Sequence, residues 1–205
     1  MESLQVEKKL ADWSHTGTYE YLLAVPIAAD VNESVDHERR SLFGNDTRSS
    51  LQLNYISVAA FTGRDEMEST VIRYLERIIS ARSNFQVSLN NYSGIPPHTI
   101  FLRVQDVTPF RLLTKQLAAV SDYVQSCSCP PLKVCHPHVV VANNLGESNY
   151  FKLMLLFSQM SFFASFSVNE VVLLRRSHSF DAGKKLQVFP LMPAGYQSFK
   201  NTLFN

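Results

Sequence analysis

The chain carries almost no charge imbalance: 19 Lys and Arg stand against 18 Asp and Glu, a net charge of +1 over 205 residues. That excludes the bulk electrostatic footprint of a non-specific nucleic-acid binder, while leaving room for a local basic patch. No run approaches the roughly 20 apolar residues of a membrane-spanning helix. The start, Met1-Glu2-Ser3-Leu4-Gln5-Val6-Glu7-Lys8-Lys9, is charged, with no apolar signal core behind it. The expectation is a soluble cytoplasmic protein with no membrane partner. Cysteines are few and odd in number, three in all, which suits a reducing compartment. Cys127, Cys129 and Cys135 do cluster ahead of His136 and His138, but the spacing is Cys-x-Cys and no second pair exists. No metal and no other cofactor is therefore expected. What the chain does hold is a 45% hydrophobic fraction, enough for a proper core, and a length suited to one sizeable domain or one domain of two lobes.

In chain order, residues 1–18 read as a polar lead-in with helix from Leu4 to Trp13. Residues 19–193 form the domain and 194–205 a tail. The first strand is Tyr21 to Ala28, near-continuously apolar and carrying Pro26, which suggests an edge or a bulge. A polar helix from about Asn32 to Phe43 leads to a turn-rich loop, 44–50. The strand Asn54 to Phe61 is ended by Thr62-Gly63. A helix over 65–82 follows, opened by acids and striped with Met67, Val71, Leu75, Ile78 and Ile79 at helical spacing. Two strands, 85–89 and 99–104, flank a turn-rich connection at 92–97. One helix is predicted from Pro109 to Gln125, with Pro in its first turn. The cysteine loop leads to the strand at 138–142, a helix over 148–159, and strands at 162–168, 171–176 and 186–191.

The stretch His136-Pro137-His138-Val139-Val140-Val141-Ala142 stands out: a buried strand that opens on a histidine. Histidine is costly to bury without a partner and well suited to proton transfer near neutral pH. Two halves share one grammar. Strand 54–61, helix 65–82 and two strands are followed by strand 138–142, helix 147–159 and two strands. The pattern predicts an α+β fold of two pseudo-symmetric lobes of antiparallel sheet, with helices outside and a central cleft. Tyr55-Ile56-Ser57-Val58 and His138-Val139-Val140-Val141 take matching places beside that cleft.

The order of elements, with the phrases Phe85–Leu89 to Thr99–Val104, Pro137–Ala142 and Phe166–Leu174, resembles the 2H phosphoesterase superfamily of RNA 2',5'-ligases and cyclic phosphodiesterases. The resemblance covers about residues 20–191. It implies two signatures, each His, any residue, then Thr or Ser, one per lobe. On a strand, residues i and i+2 share a face, so each signature presents an imidazole and a hydroxyl to one phosphate. One imidazole takes a proton from the attacking group, the other protonates the leaving oxygen, and the hydroxyls stabilise the phosphoryl oxygens.

Here both signatures are broken. Tyr55 stands where the first histidine belongs and Ser57 keeps the hydroxyl. His138 is kept, but Val140 stands where Thr or Ser belongs. A tyrosine titrates near ~10 and is a poor base at neutral pH, and valine donates nothing. The expectation is a degenerate active site: binding of an RNA end, nucleotide or other phosphate ester, with catalysis weak or lost. Two alternatives stay open: an active 2',3'-cyclic phosphodiesterase using Tyr55 and His138, and a non-catalytic protein-interaction scaffold. The candidate catalytic residues are His138 and Tyr55, with Ser57 as phosphate ligand and His136, His98 and Arg175 as cleft-lining candidates. Tyr92 and Phe101 are read first as core aromatics. Oligomeric state is left open.

Overall fold

The computed structural model of the chain describes residues 17–43, 55–177, 181 and 183–194. The expected lead-in helix and 44–50 loop lie outside these residues, as does the tail beyond Ala194. Among the described residues, nine strands and five helices run in the order β1 (Thr18–Pro26), α1 (Ala29–Phe43), β2 (Tyr55–Arg64), α2 (Glu68–Ile79), β3 (Phe85–Ile95), β4 (Thr99–Val104), α3 (Thr108–Lys115), α4 (Ala118–Ser126), β5 (Lys133–Val134), β6 (His138–Ala142), α5 (Glu147–Ser158), β7 (Phe163–Val168), β8 (Glu170–Arg176) and β9 (Lys184–Pro190). A 3-10 turn, Asp65–Met67, leads into α2. No described helix is long and apolar enough to cross a membrane.

The strands form two antiparallel sheets, β5-β2-β1-β8-β9 and β6-β4-β3-β7. One face of each sheet is covered by helices: α2, α3 and α4 lie against β9 and β2, while α1 and α5 lie against β6, β7, β3 and β4. The main core is continuous across both lobes. It joins Tyr21, Leu23, Ile56 and Val58 of the first sheet to Val87, Leu102, Val139 and Val141 of the second, with Val71, Leu75, Phe110 and Phe157 from the helices. The opposite, inner face of each sheet borders the central cleft.

The α+β class and the two-lobed layout match the reading from sequence. Each sheet nevertheless draws strands from both halves of the chain, so lobe and sequence half do not coincide. β2 runs on through Thr62 and Gly63 to Arg64. β3 extends to Ile95, because Asn91 takes a left-handed conformation (φ 51°) at a bulge and the strand resumes beyond it. Asn tolerates that conformation better than most residues. Gly94, in the resumed stretch, leaves room for Tyr150 of α5, whose hydroxyl a Cβ there would strike. The single helix expected over 109–125 is two helices, broken at Gln116-Leu117. The break is invisible in the pattern because Phe110, Leu113, Leu117, Val120 and Val124 all stay buried at helical spacing across it.

Candidate functional site

β2 and β6 run alongside each other where the two sheets meet. The connection between them is direct. β5 pairs with β2, the Cys135 N–H then donates to the Val58 carbonyl at 3.0 Å, and the chain crosses through His136-Pro137 into β6.

The two strands share an unusual backbone device. In β2 the pairing with β1 slips between Ser57 and Ala59, leaving Val58 as the extra residue. In β6 the pairing with β4 slips between Val140 and Ala142, leaving Val141 as the extra residue. Each bulge turns two successive residues into the core, Val58 with Ala59 and Val141 with Ala142. Each therefore leaves the two residues at i and i+2 just before it on the inner face: Tyr55 and Ser57 on β2, His138 and Val140 on β6. A bulge bends a strand and re-aims its side chains, and here it does so at corresponding places in the two strands.

His138 is half-buried. Its Nδ1 lies 2.7 Å from the His136 carbonyl oxygen. A carbonyl only accepts, so Nδ1 carries the hydrogen and Nε2 keeps its lone pair. The ring packs against Phe101, centroids 4.7 Å apart. Burial holds the pKa below that of free imidazole, against the opposing pull of the His136 carbonyl. His138 is thus neutral at pH 7, oriented, and has a free basic nitrogen. Val140 beside it offers only its backbone: its carbonyl, on the outer edge of the edge strand β6, accepts from the buried guanidinium of Arg39, which is also paired to Asp36 at 2.6 Å. Nothing in the polar helix α1 announces this arginine as a support for β6.

The inner face of the five-stranded sheet is mostly apolar. Leu22, Ala24, Val172 and Leu174 are at most 2% exposed, and the half-buried Tyr55 ring packs against them with Ala60 and Val188. Ser57 sits between Tyr55 and the bulge, opposite Ala24. The inner face of the four-stranded sheet is different. It carries Arg103 opposite His138, Asn90 opposite Arg103, then Ser88, Ser165, Gln86 and Ser167, with no Asp or Glu among its strand residues.

The sequence-derived residues do not all converge. Tyr55, Ser57 and His138 lie on the two inner faces, and the His136 ring, exposed, stands 6.3 Å from that of His138. His98 is elsewhere: exposed, it sits in the β3–β4 turn, at the opposite end of β4 from Arg103 and His138. Arg175 is also misplaced by the sequence reading. It pairs with Tyr21 on the helix-covered face of its sheet, its guanidinium bonding Glu68 at 2.9 Å and lying 4.5 Å over the Tyr19 ring. Strand alternation turns its neighbour Arg176 inward instead, where it is held by Glu20 at 2.9 Å. Arg103, which the sequence reading passed over, is the exposed cation beside His138. Tyr92 is a core residue, 4.3 Å from Phe157, its hydroxyl pushed up to about 12 by burial.

Comparison with known proteins follows the same lines. The profile of the 2'-5' RNA ligase superfamily matches residues 29–179. No curated protein matches the chain. Among solved structures, Escherichia coli LigT complexed with 3'-AMP superposes with a TM-score of 0.59 at 16% identity, covering 86% of this chain and 99% of its own. LigT complexed with phosphate gives 0.57 at 15% identity, with coverage of 86% and 99%. TT0787 of Thermus thermophilus gives 0.60 at 14% identity, with coverage of 85% and 99%. At these identities the likeness is one of fold.

Proposed function

This chain belongs to the 2'-5' RNA ligase superfamily, and on that premise we propose that its inter-lobe cleft binds a phosphate ester, a nucleotide or an RNA end, with catalysis weak or lost. The observation that carries this reading is His138: neutral, half-buried, held through Nδ1 on a backbone carbonyl, and flanked by Arg103 on an inner face free of carboxylates. An imidazole with a free Nε2 accepts a hydrogen bond from a protonated phosphate or a ribose hydroxyl. The Arg103 guanidinium, always charged, supplies the attraction for the anion. Ser57 adds one hydroxyl from the facing strand.

Catalysis needs more. A positioned acid or base contributes roughly 10²–10⁴ in rate, and a lost charge-stabilising donor costs roughly 10²–10³. Tyr55 replaces one imidazole and packs its ring on aliphatic side chains, and Val140 replaces one hydroxyl. The base-ready tautomer of His138 favours a second reading, an active cyclic phosphodiesterase in which His138 is the base and Tyr55 the acid.

Hydrolysis of 2',3'-cyclic nucleotides by the natural chain, by Tyr55→His with Val140→Thr, and by His138→Ala separates these readings. The expected result is nucleotide binding without measurable turnover in the natural chain, and turnover in the double variant. Turnover by the natural chain that vanishes in His138→Ala establishes the second reading. A natural chain that binds neither nucleoside monophosphates nor cyclic nucleotides overturns both and leaves a protein-interaction scaffold.

A further inference from the structure

Three independent strand registers place four residues in one row across the inner face of the four-stranded sheet. His138 of β6 is opposite Arg103 of β4, Arg103 is opposite Asn90 of β3, and Asn90 is opposite Phe163 of β7. Neighbouring strands lie about 4.8 Å apart, so the row spans about 14 Å. Its chemistry is graded: a basic ring nitrogen, a guanidinium, an amide, then an aromatic ring. Phe163 is 72% exposed, and Arg103 Nε donates to the Asn90 carbonyl at 3.3 Å, which sets the guanidinium along the row. Hydroxyl and amide pairs flank it on the same face, Ser88 with Ser165 at 3.3 Å and Gln86 with Ser167 at 2.6 Å.

We infer that this row is a track for a single-stranded RNA of roughly two to three nucleotides, running from the phosphate at His138 to a base stacked on Phe163. The inference rests on the cleft reading above for its first phosphate and extends the site across two further strands, β3 and β7. A face with a cation, neutral hydrogen-bonding groups and no carboxylate suits a polyanion whose bases are splayed. An exposed phenylalanine at its far end supplies the sequence-tolerant stacking surface that such strands use. A peptide adding to the edge of β7 would use the backbone of that strand and gain nothing from Arg103 or His138, so the row favours RNA.

The test measures binding of uridine 3'-monophosphate and of a uridine trinucleotide ending in a 3'-phosphate to the full chain, to Phe163→Ala and to Phe163→Tyr. The trinucleotide is expected to bind the natural chain at least tenfold more tightly than the mononucleotide. Phe163→Ala should lose roughly five- to hundredfold of trinucleotide affinity, the range for removing one stacked base, and Phe163→Tyr should restore it. Mononucleotide affinity stays the same in all three. Equal trinucleotide affinity in the natural chain and Phe163→Ala overturns the track, and if the mononucleotide still binds, the cleft reading survives. Trinucleotide binding without mononucleotide binding overturns the cleft reading and, with it, a track that starts from the phosphate at His138. Binding of neither overturns both.

Discussion

The inner face of the five-stranded sheet and the inner face of the four-stranded sheet are shaped by the same backbone device and lined with opposite chemistry. On the first, Leu22, Ala24, Val172 and Leu174 are buried and Tyr55 lies against them. On the second, Ser88, Asn90, Arg103, Ser165 and Ser167 stand around the half-buried His138. The matching bulges at Val58 and Val141 keep two side chains aimed inward on both strands. Backbone register and side-chain chemistry are thus separable. The register is tied into the core through Val58, Ala59, Val141 and Ala142, so changing it would displace buried residues. The inward side chains are packed more loosely, half-buried Tyr55 against Leu22, Ala24, Val172 and Leu174 and half-buried His138 against Phe101. Under the proposed function, the first face carries stability and the second carries recognition.

The largest test of that division is a pair of truncations. Leu174→Ala should cost about 2–5 kcal/mol of unfolding free energy, whereas Ser165→Ala, on the polar face, should stay within about 0.5 kcal/mol. Denaturant titration reads both, and a cost below about 1 kcal/mol for Leu174→Ala would erase the contrast. A smaller effect is expected from Tyr55→Phe, which keeps the ring and removes the hydroxyl. If Tyr55 serves the apolar face, stability and nucleotide affinity each change by less than about threefold, the scale of a weak or absent hydrogen bond. A tenfold loss of affinity would move Tyr55 into the recognition machinery.

The smallest effect is in pH. Burial lowers the folded pKa of His138, so the unfolded chain takes up a proton that the folded chain resists. The contribution is fully present above the unfolded value near 6.5 and is lost as pH falls below it, down to the folded pKa. Proton NMR should give a His138 midpoint below that of free imidazole, and His138→Gln should flatten the decline in stability over that window. A midpoint at or above about 6.5 would mean that burial does not govern the His138 ring.

Much of the fold was legible because it is written locally. The stripe Val71, Leu75 and Ile79 specified α2 and its buried face. The apolar runs specified β1, β6 and β8, and the spacing of two residues put Tyr55 with Ser57 and His138 with Val140 on common faces. The failures also have local causes. Phe110 to Val124 kept helical spacing through a real break, so two helices read as one. Gly94 fell in the connection expected at 92–97 and is a packing site within β3, which continues past a bulge at Asn91. Arg175 and Arg176 are adjacent and chemically identical, and only the pairing of β8 with β1 says which one turns inward.

The sequence by itself determined the strands that carry His138, Tyr55 and Ser57, and which residues share a face on each, because identity and alternation are properties of a single segment. The tertiary structure decided which strands share a sheet, where the two bulges fall, and that His138, Arg103, Asn90 and Phe163 form one row. Those facts depend on pairing between segments far apart in the chain. A one-residue slip in any of those pairings would turn a side chain to the other face, and it is burial of the common core across both sheets that holds each register in place.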